Sequence, residues 1–142
     1  MTNSAPTTLV AAVQAAPVFL DREATIEKVG TLTKEAVAAG ARLVAFPEGF
    51  VPTYPDWVWR TTPWADGEWY ARWIDQCVDV PGPACEALGD IARENGIHLA
   101  VPVNERAGGT VYNTILYFAP DGALLGKHRK LVATGGERLA WG

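Results

Sequence analysis

Two short apolar runs flank an amphipathic stretch near the start of this chain, and that order constrains the fold more than any other feature. Thr8-Leu9-Val10-Ala11-Ala12-Val13-Gln14-Ala15-Ala16 is closed by Pro17, and Arg42-Leu43-Val44-Ala45-Phe46 is closed by Pro47. Continuous apolar runs of this length, punctuated by proline, predict strands buried on both faces. Between them Ala24, Ile26, Val29, Leu32, Ala36 and Val37 recur near helical spacing. Asp21 suits the N-cap of that helix and Gly40 its stop. Strand, helix, strand in this order is the repeating unit of α/β proteins.

The remaining chain extends the same scheme. Residues 49–65 are punctuated by Pro52, Pro55 and Pro63 and show no regular period, which predicts a loop. Helices are expected around Asp66–Gln76 and over Pro83–Glu94, with Pro83 in a first turn and Gly96 at an exit. His98–Val103, Thr110–Phe118 and Leu124–Arg129 read as strands. Ala107-Gly108-Gly109 and Pro120-Asp121-Gly122 would join them as antiparallel hairpins. The predicted order is β-α-β-α-α-β-β-β, an α/β arrangement with a mixed sheet. Residues 1–142 are expected to belong to one folded unit.

Composition narrows the function classes. With 49% hydrophobic and 20% charged residues, the chain has the balance of a globular protein. A net charge of −4, with basic residues clustered only at Lys127, Arg129 and Lys130, argues against nucleic acid as a partner. No apolar run is long enough to span a bilayer. The first residues have neither a basic start nor an apolar core of the secretory kind, so a cytoplasmic location is expected. Cys77 and Cys85 are not spaced as a CxxC motif, nor do His98 and His128 complete a zinc pattern with them. Two free thiols and no metal are expected.

Two charged residues stand where strand patterns run out, the rim at which open α/β sheets collect their chemistry. Glu48 follows Phe46-Pro47 and precedes Gly49; Lys130 ends Gly126-Lys127-His128-Arg129-Lys130. A partly desolvated carboxylate at such a rim suits a general base, but a helix-cap or surface carboxylate fits the same pattern. Lys130 is either a solvated charge beside Arg129 or a cation that holds developing negative charge in a pocket. Trp57, Trp59, Trp64, Trp69 and Trp73 crowd one stretch with Tyr54 and Tyr70. Aromatics so placed read as core or subunit contact. Tyr54 is the exception: it follows Glu48 closely and could wall a pocket, with its hydroxyl available for a hydrogen bond. His128 and Arg129 are expected to be supporting or structural, His98 a satisfied core histidine, and Asn113 a partner of neighbouring backbone.

The residues around these positions make them specific. Phe46-Pro47-Glu48-Gly49-Phe50, Tyr54-Pro55, Val80-Pro81-Gly82-Pro83, Tyr112-Asn113-Thr114 and Gly126-Lys127-His128-Arg129-Lys130-Leu131 occur in that order. Thr134, Glu137-Arg138 and Trp141-Gly142 follow. Together these blocks resemble the nitrilase branch of the carbon–nitrogen hydrolase superfamily across essentially the whole chain.

That resemblance implies an α-β-β-α sandwich and a Glu-Lys-Cys triad, with no metal or organic cofactor. Glu48 then corresponds to the general base, Lys130 to the cation that stabilises the tetrahedral intermediate, and Glu137 to a second glutamate orienting the lysine and substrate. The family's nucleophilic cysteine would fall at the end of a later strand, beyond Gly142. Residues 1–142 are therefore expected to be roughly the N-terminal half of one such domain, truncated before the nucleophile and inactive alone. Implied partners are a small nitrile and, at full length, further copies of the same chain. The implied reaction converts a nitrile to a carboxylic acid and ammonia, with cyanide hydratase or dihydratase activity the nearest alternative. A non-catalytic interaction chain of the same fold is the rival from another class. A sheet lacking its partner should also expose an apolar face.

Overall fold

The structure, a computed structural model, describes residues 7–142. Its strands are β1 (Val10–Ala12), β2 (Leu43–Ala45), β3 (Val78–Asp79), β4 (His98–Ala107), β5 (Thr110–Phe118) and β6 (Leu124–Arg129). Its helices are α1 (Arg22–Ala38), α2 (Gly67–Gln76) and α3 (Pro83–Asn95), with short 3₁₀ segments at Asp56–Trp59 and Gly135–Leu139. The local signals explain the boundaries. Asp21 caps α1, its carboxylate accepting the Ala24 N–H at 2.9 Å. Pro83 opens α3, whose missing N–H would have had no helical partner there.

The strands form one mixed sheet in the order β1-β2-β4-β5-β6, with β3 paired to the far end of β4. β1, β2, β3 and β4 pair in parallel, while β4-β5 and β5-β6 are antiparallel hairpins. Two reversals leave β6 running in the same direction as β2. The segments after β2 and β6 therefore leave the sheet at the same rim, and β5 begins there.

One face of the sheet is the core. Val44, Leu99, Val101, Val103, Leu116 and Phe118 pack beneath Ile26 and Val29 of α1 and Cys85, Leu88 and Ala92 of α3. Gly89 allows α3 to close onto the β5–β6 turn: a Cβ there would lie 2.7 Å from the Gly122 carbonyl oxygen. The alternate residues, among them Val111, Ala45, Ala100, Ile115 and Tyr117, face the other side; among the described residues a helix meets this face only at its Val111 end, where Trp73 of α2 packs. The architecture is thus one mixed sheet with α1 and α3 layered on one face.

The structure corrects several expectations. β1 is short and its Val10 is exposed rather than buried on both faces, because β1 is a sheet edge and its outer face has no cover. β4 continues past Val103 to Ala107, since Glu105 is buried with partners and does not end the strand. His98 is exposed, not a core histidine, because the period of two turns it away from Leu99. β3 is too short to leave a periodic signal. The aromatic stretch divides. Trp57 and Trp73 are buried in a second cluster with Leu20, Cys77, Val111 and Trp141, whereas Trp64 is 96% exposed and Trp59 and Trp69 are partly so.

Candidate active site

A mismatch in strand length presents Glu48. Ala45 pairs with Ala100, and Val51 next pairs with Val103. More residues separate Ala45 from Val51 than separate Ala100 from Val103, so the excess around Pro47-Glu48-Gly49 bulges out of the ladder. The excursion is fixed at both ends. Phe46 N–H donates to Ala100 O at 3.1 Å, and Asn104 N–H donates to Val51 O at 2.8 Å. The Asn104 side chain also donates to the Val51 and Thr53 carbonyls. Gly49 sits at φ +59°, with room for a Cβ only at 3.2 Å from Tyr54 Cα, so the turn that exposes Glu48 depends on glycine.

Lys130 reaches the same point from β6. Period-two alternation sends Lys127 and Arg129 to one face of the sheet, and His128 and Lys130 to the other. Lys130 N–H donates to Asn113 O at 2.7 Å, which holds the end of β6 on β5. Its ammonium lies 2.8 Å from Glu48 Oε1, 3.0 Å from Glu137 Oε1 and 2.8 Å from Glu137 Oε2. The Trp141 ring centroid is 5.6 Å away, within cation–π range. Burial disfavours the Lys130 charge, but the hydrogen bonds it donates to Glu137 and Glu48 outweigh that and raise its pKa above the usual lysine value. Burial likewise opposes the Glu137 carboxylate, yet Lys130, the Thr134 N–H and Tyr54 hold its pKa below the usual range.

Glu137 has two tasks. In the sequence Thr134-Gly135-Gly136-Glu137 it completes a capping box, its Oε2 accepting the Thr134 N–H at 2.7 Å. Its Oε1 accepts from the Tyr54 hydroxyl at 2.9 Å, and that hydroxyl in turn accepts from Trp59 Nε1 at 2.9 Å. A buried carboxylate is therefore held on three sides.

Glu48 and Lys130, 82 residues apart in sequence, meet in the wall of an open cleft of about 510 Å³, with Glu137 held against Lys130 beside it. Its polar wall is Glu48, Asn113, His128 and Lys130; Phe46, Pro102, Ile115 and Leu131 supply apolar surface. Tyr54 is not among the lining residues. Its ring packs edge-on to Trp141 at 5.4 Å, and its hydroxyl is turned to Glu137. The hydroxyl expected to be available to a pocket is thus engaged by Glu137. Asn113 also departs from expectation: its side chain donates to Glu48 Oε1 at 2.6 Å and not to neighbouring backbone. His128 forms part of the wall.

Sequence reasoning missed Glu105. This carboxylate is 1% exposed and accepts from Thr114 Oγ1 at 2.8 Å, from Arg129 Nε and Nη2 at 2.9 and 2.7 Å, and from Lys127. Burial pushes its pKa up, but the bonds from Arg129, Lys127 and Thr114 prevail and hold it at about 2. Two basic residues two apart on β6, facing away from Lys130, were the available signal for such an anchor. The Thr-x-x-Glu spacing was the signal for the cap at Glu137.

Neither thiol belongs to the cleft. Cys77 lies in the aromatic cluster, and burial pushes its pKa up to about 12. Cys85 lies in the first turn of α3, under the helix layer, and its pKa is raised by burial and then by Glu86. Helix N-termini can lower a thiol's pKa; here desolvation wins.

Comparison with known proteins agrees with this architecture. Residues 9–139 match the carbon-nitrogen hydrolase family, and the chain belongs to that family. It is 45% identical over 133 residues to a nitrilase of Bacillus sp. (strain OxB-1), covering 94% of this chain and 39% of that protein. It is 49% identical over 138 residues to an aliphatic nitrilase of Sinorhizobium fredii (strain HH103), covering 93% of this chain and 44% of the relative. Among solved structures, an amidase from Nesterenkonia sp. superposes with a TM-score of 0.69 at 22% identity, covering 93% of this chain and 46% of the amidase. The fold is therefore the N-terminal part of the carbon–nitrogen hydrolase fold, and the chain spans less than half the length of these relatives.

Proposed function

We propose that this chain carries the base and the cation of a nitrilase, an enzyme that hydrolyses a small nitrile to a carboxylic acid and ammonia. The observation that carries the reading is the Lys130 ammonium held between Glu48 and Glu137 at the end of a largely apolar cleft. The identity to nitrilases of two bacteria supports nitriles over amides as substrates.

Each group has a chemical task. A nitrile carbon is a weak electrophile, so attack requires a thiolate. Cys77 and Cys85 are both buried with raised pKa values, so this reading assigns the attacking thiol to neither of them. Glu48 takes the thiol proton as the S–C bond forms, and the nitrile nitrogen takes the displaced electron pair and that proton. The product is a thioimidate. Water then adds to it, and ammonia leaves once its nitrogen is protonated, giving a thioester. A second water, deprotonated by Glu48, releases the acid and returns the proton to the thiol. Lys130 stabilises the negative charge of the tetrahedral species. Glu137 keeps Lys130 protonated and fixed in place. His128 and the apolar wall contact the substituent of the nitrile.

The test is product analysis on the protein made from its natural reading frame, over aliphatic and aromatic nitriles. Equal amounts of acid and ammonia are expected. Hydrolysis of amides with nitriles untouched would contradict the reading, as would ammonia release by residues 1–142 alone that Cys85→Ser abolishes.

A further inference from the structure

One polar side chain of the cleft touches the base directly. Asn113 is buried on β5, directly across the hairpin from Asn104. The two asparagines divide the work of holding the base. Asn104 fixes the backbone of the bulge through the Val51 and Thr53 carbonyls, and its own Oδ1 accepts the Trp141 indole N–H at 2.9 Å. Asn113 reaches the carboxylate itself. A carboxylate only accepts hydrogen bonds, so the amide nitrogen, not the oxygen, must face it.

The pattern of donors is unequal. Asn113 Nδ2 lies 2.6 Å from Glu48 Oε1, and Lys130 Nζ lies 2.8 Å from the same oxygen. Among the described residues Glu48 Oε2 accepts no hydrogen bond from protein. Asn113 also joins the two reacting groups, since its backbone oxygen accepts the Lys130 N–H at 2.7 Å. One residue therefore sets the position of both base and cation.

We propose that Asn113 is a positioning residue that saturates Glu48 Oε1 and leaves Oε2 as the oxygen that takes and returns the proton. This inference rests on the nitrilase reading and deepens it. Without Asn113 the Glu48 carboxylate, half-exposed on its bulge, is held by Lys130 alone. It can then turn about its last torsion and present either oxygen. Misplacing a reacting group by about an ångström costs on the order of 10²-fold in rate.

The experiment compares wild type, Asn113→Ala, Asn113→Asp, Glu48→Ala and the double variant Glu48→Ala/Asn113→Ala in the protein made from its natural reading frame. Steady-state kinetics on the best nitrile and denaturant unfolding are measured for each. Asn113→Asp is isosteric, and the unfolding measurement on each variant separates a folding defect from the lost contact. The proposal expects kcat to fall about 10²-fold in Asn113→Ala with KM changed less than about threefold. Asn113→Asp should lose at least as much, because it removes the donor and adds a like charge. In the Glu48→Ala background, Asn113→Ala should cost nothing further. Either single Asn113 variant retaining kcat within about threefold would overturn it, as would losses in the two backgrounds that simply add. Wild type inactive on every nitrile would instead refute the functional reading and this inference with it.

Discussion

The ammonium of Lys130 lies 2.8 Å from Glu137 Oε2, a carboxylate buried within the capping box that begins at Thr134. That contact ties the end of β6 to the segment that folds back over β5, where Gly142 N–H donates to Val111 O at 3.1 Å.

Lys130→Met should therefore destabilise the fold as well as disable the site. It leaves Glu137 with its Tyr54 and Thr134 partners but without a counter-charge, an expected cost of roughly 2–3 kcal/mol in urea unfolding. Adding Glu137→Gln should recover most of that loss. Equal stability of Lys130→Met and wild type would mean that the pair is no more than a surface contact.

Tyr54 and Trp59 act on Glu137 in series. Tyr54→Phe is expected to cost about 1 kcal/mol, and Trp59→Phe less. Once Tyr54 has lost its hydroxyl, loss of the Trp59 N–H should have little further effect. A double-mutant cycle on unfolding free energy measures this coupling; strict additivity would show that the relay carries no energy.

Glu105 should give the chain an acid-sensitive anchor. Its folded pKa, at about 2, is below the ordinary 4.5. The stabilisation is present above the unfolded value and is lost as pH falls from about 4.5 toward 2. The difference corresponds to roughly 3 kcal/mol. Unfolding free energy measured between pH 6 and pH 2.5 should drop more steeply in wild type than in Glu105→Gln. Parallel profiles would contradict the anchor.

Both thiols should be inert in the folded chain. With Cys77 pushed up to about 12 and Cys85 also raised, an aromatic disulfide reagent at pH 8 should label neither until denaturant is added. Rapid stoichiometric labelling of Cys85 would reopen it as a nucleophile.

Much of the fold was legible in the sequence because its signals are local. Asp21, Pro83, Gly96 and the two Gly-containing turns mark element ends within a few residues, and the α1, α3, β5 and β6 patterns are long enough to show their period. What escaped depends on neighbours distant in the chain. β1 reads as fully buried because its apolar run does not reveal that it is an edge. His98 looks like a core residue until the register with Leu99 fixes its direction. At the site, Glu48, Lys130 and Glu137 stood out through the blocks around them. The partner of Asn113 lies on another strand's bulge, and the partners of Glu105 lie on β5 and β6. No spacing within β4 or β5 announces either. The bond from the Tyr54 hydroxyl to Glu137 likewise joins residues far apart in the chain.

The proposed role of Glu48, base of a nitrile-hydrolysing site with Lys130 as its cation, is tested most directly by ammonia release from Glu48→Gln. The substitution keeps the size of the side chain and its contact with Lys130 while removing the proton acceptor. In the protein made from its natural reading frame, kcat on the best nitrile should fall about 10³-fold or more, with the fold intact by circular dichroism. Turnover within tenfold of wild type would contradict that role for Glu48.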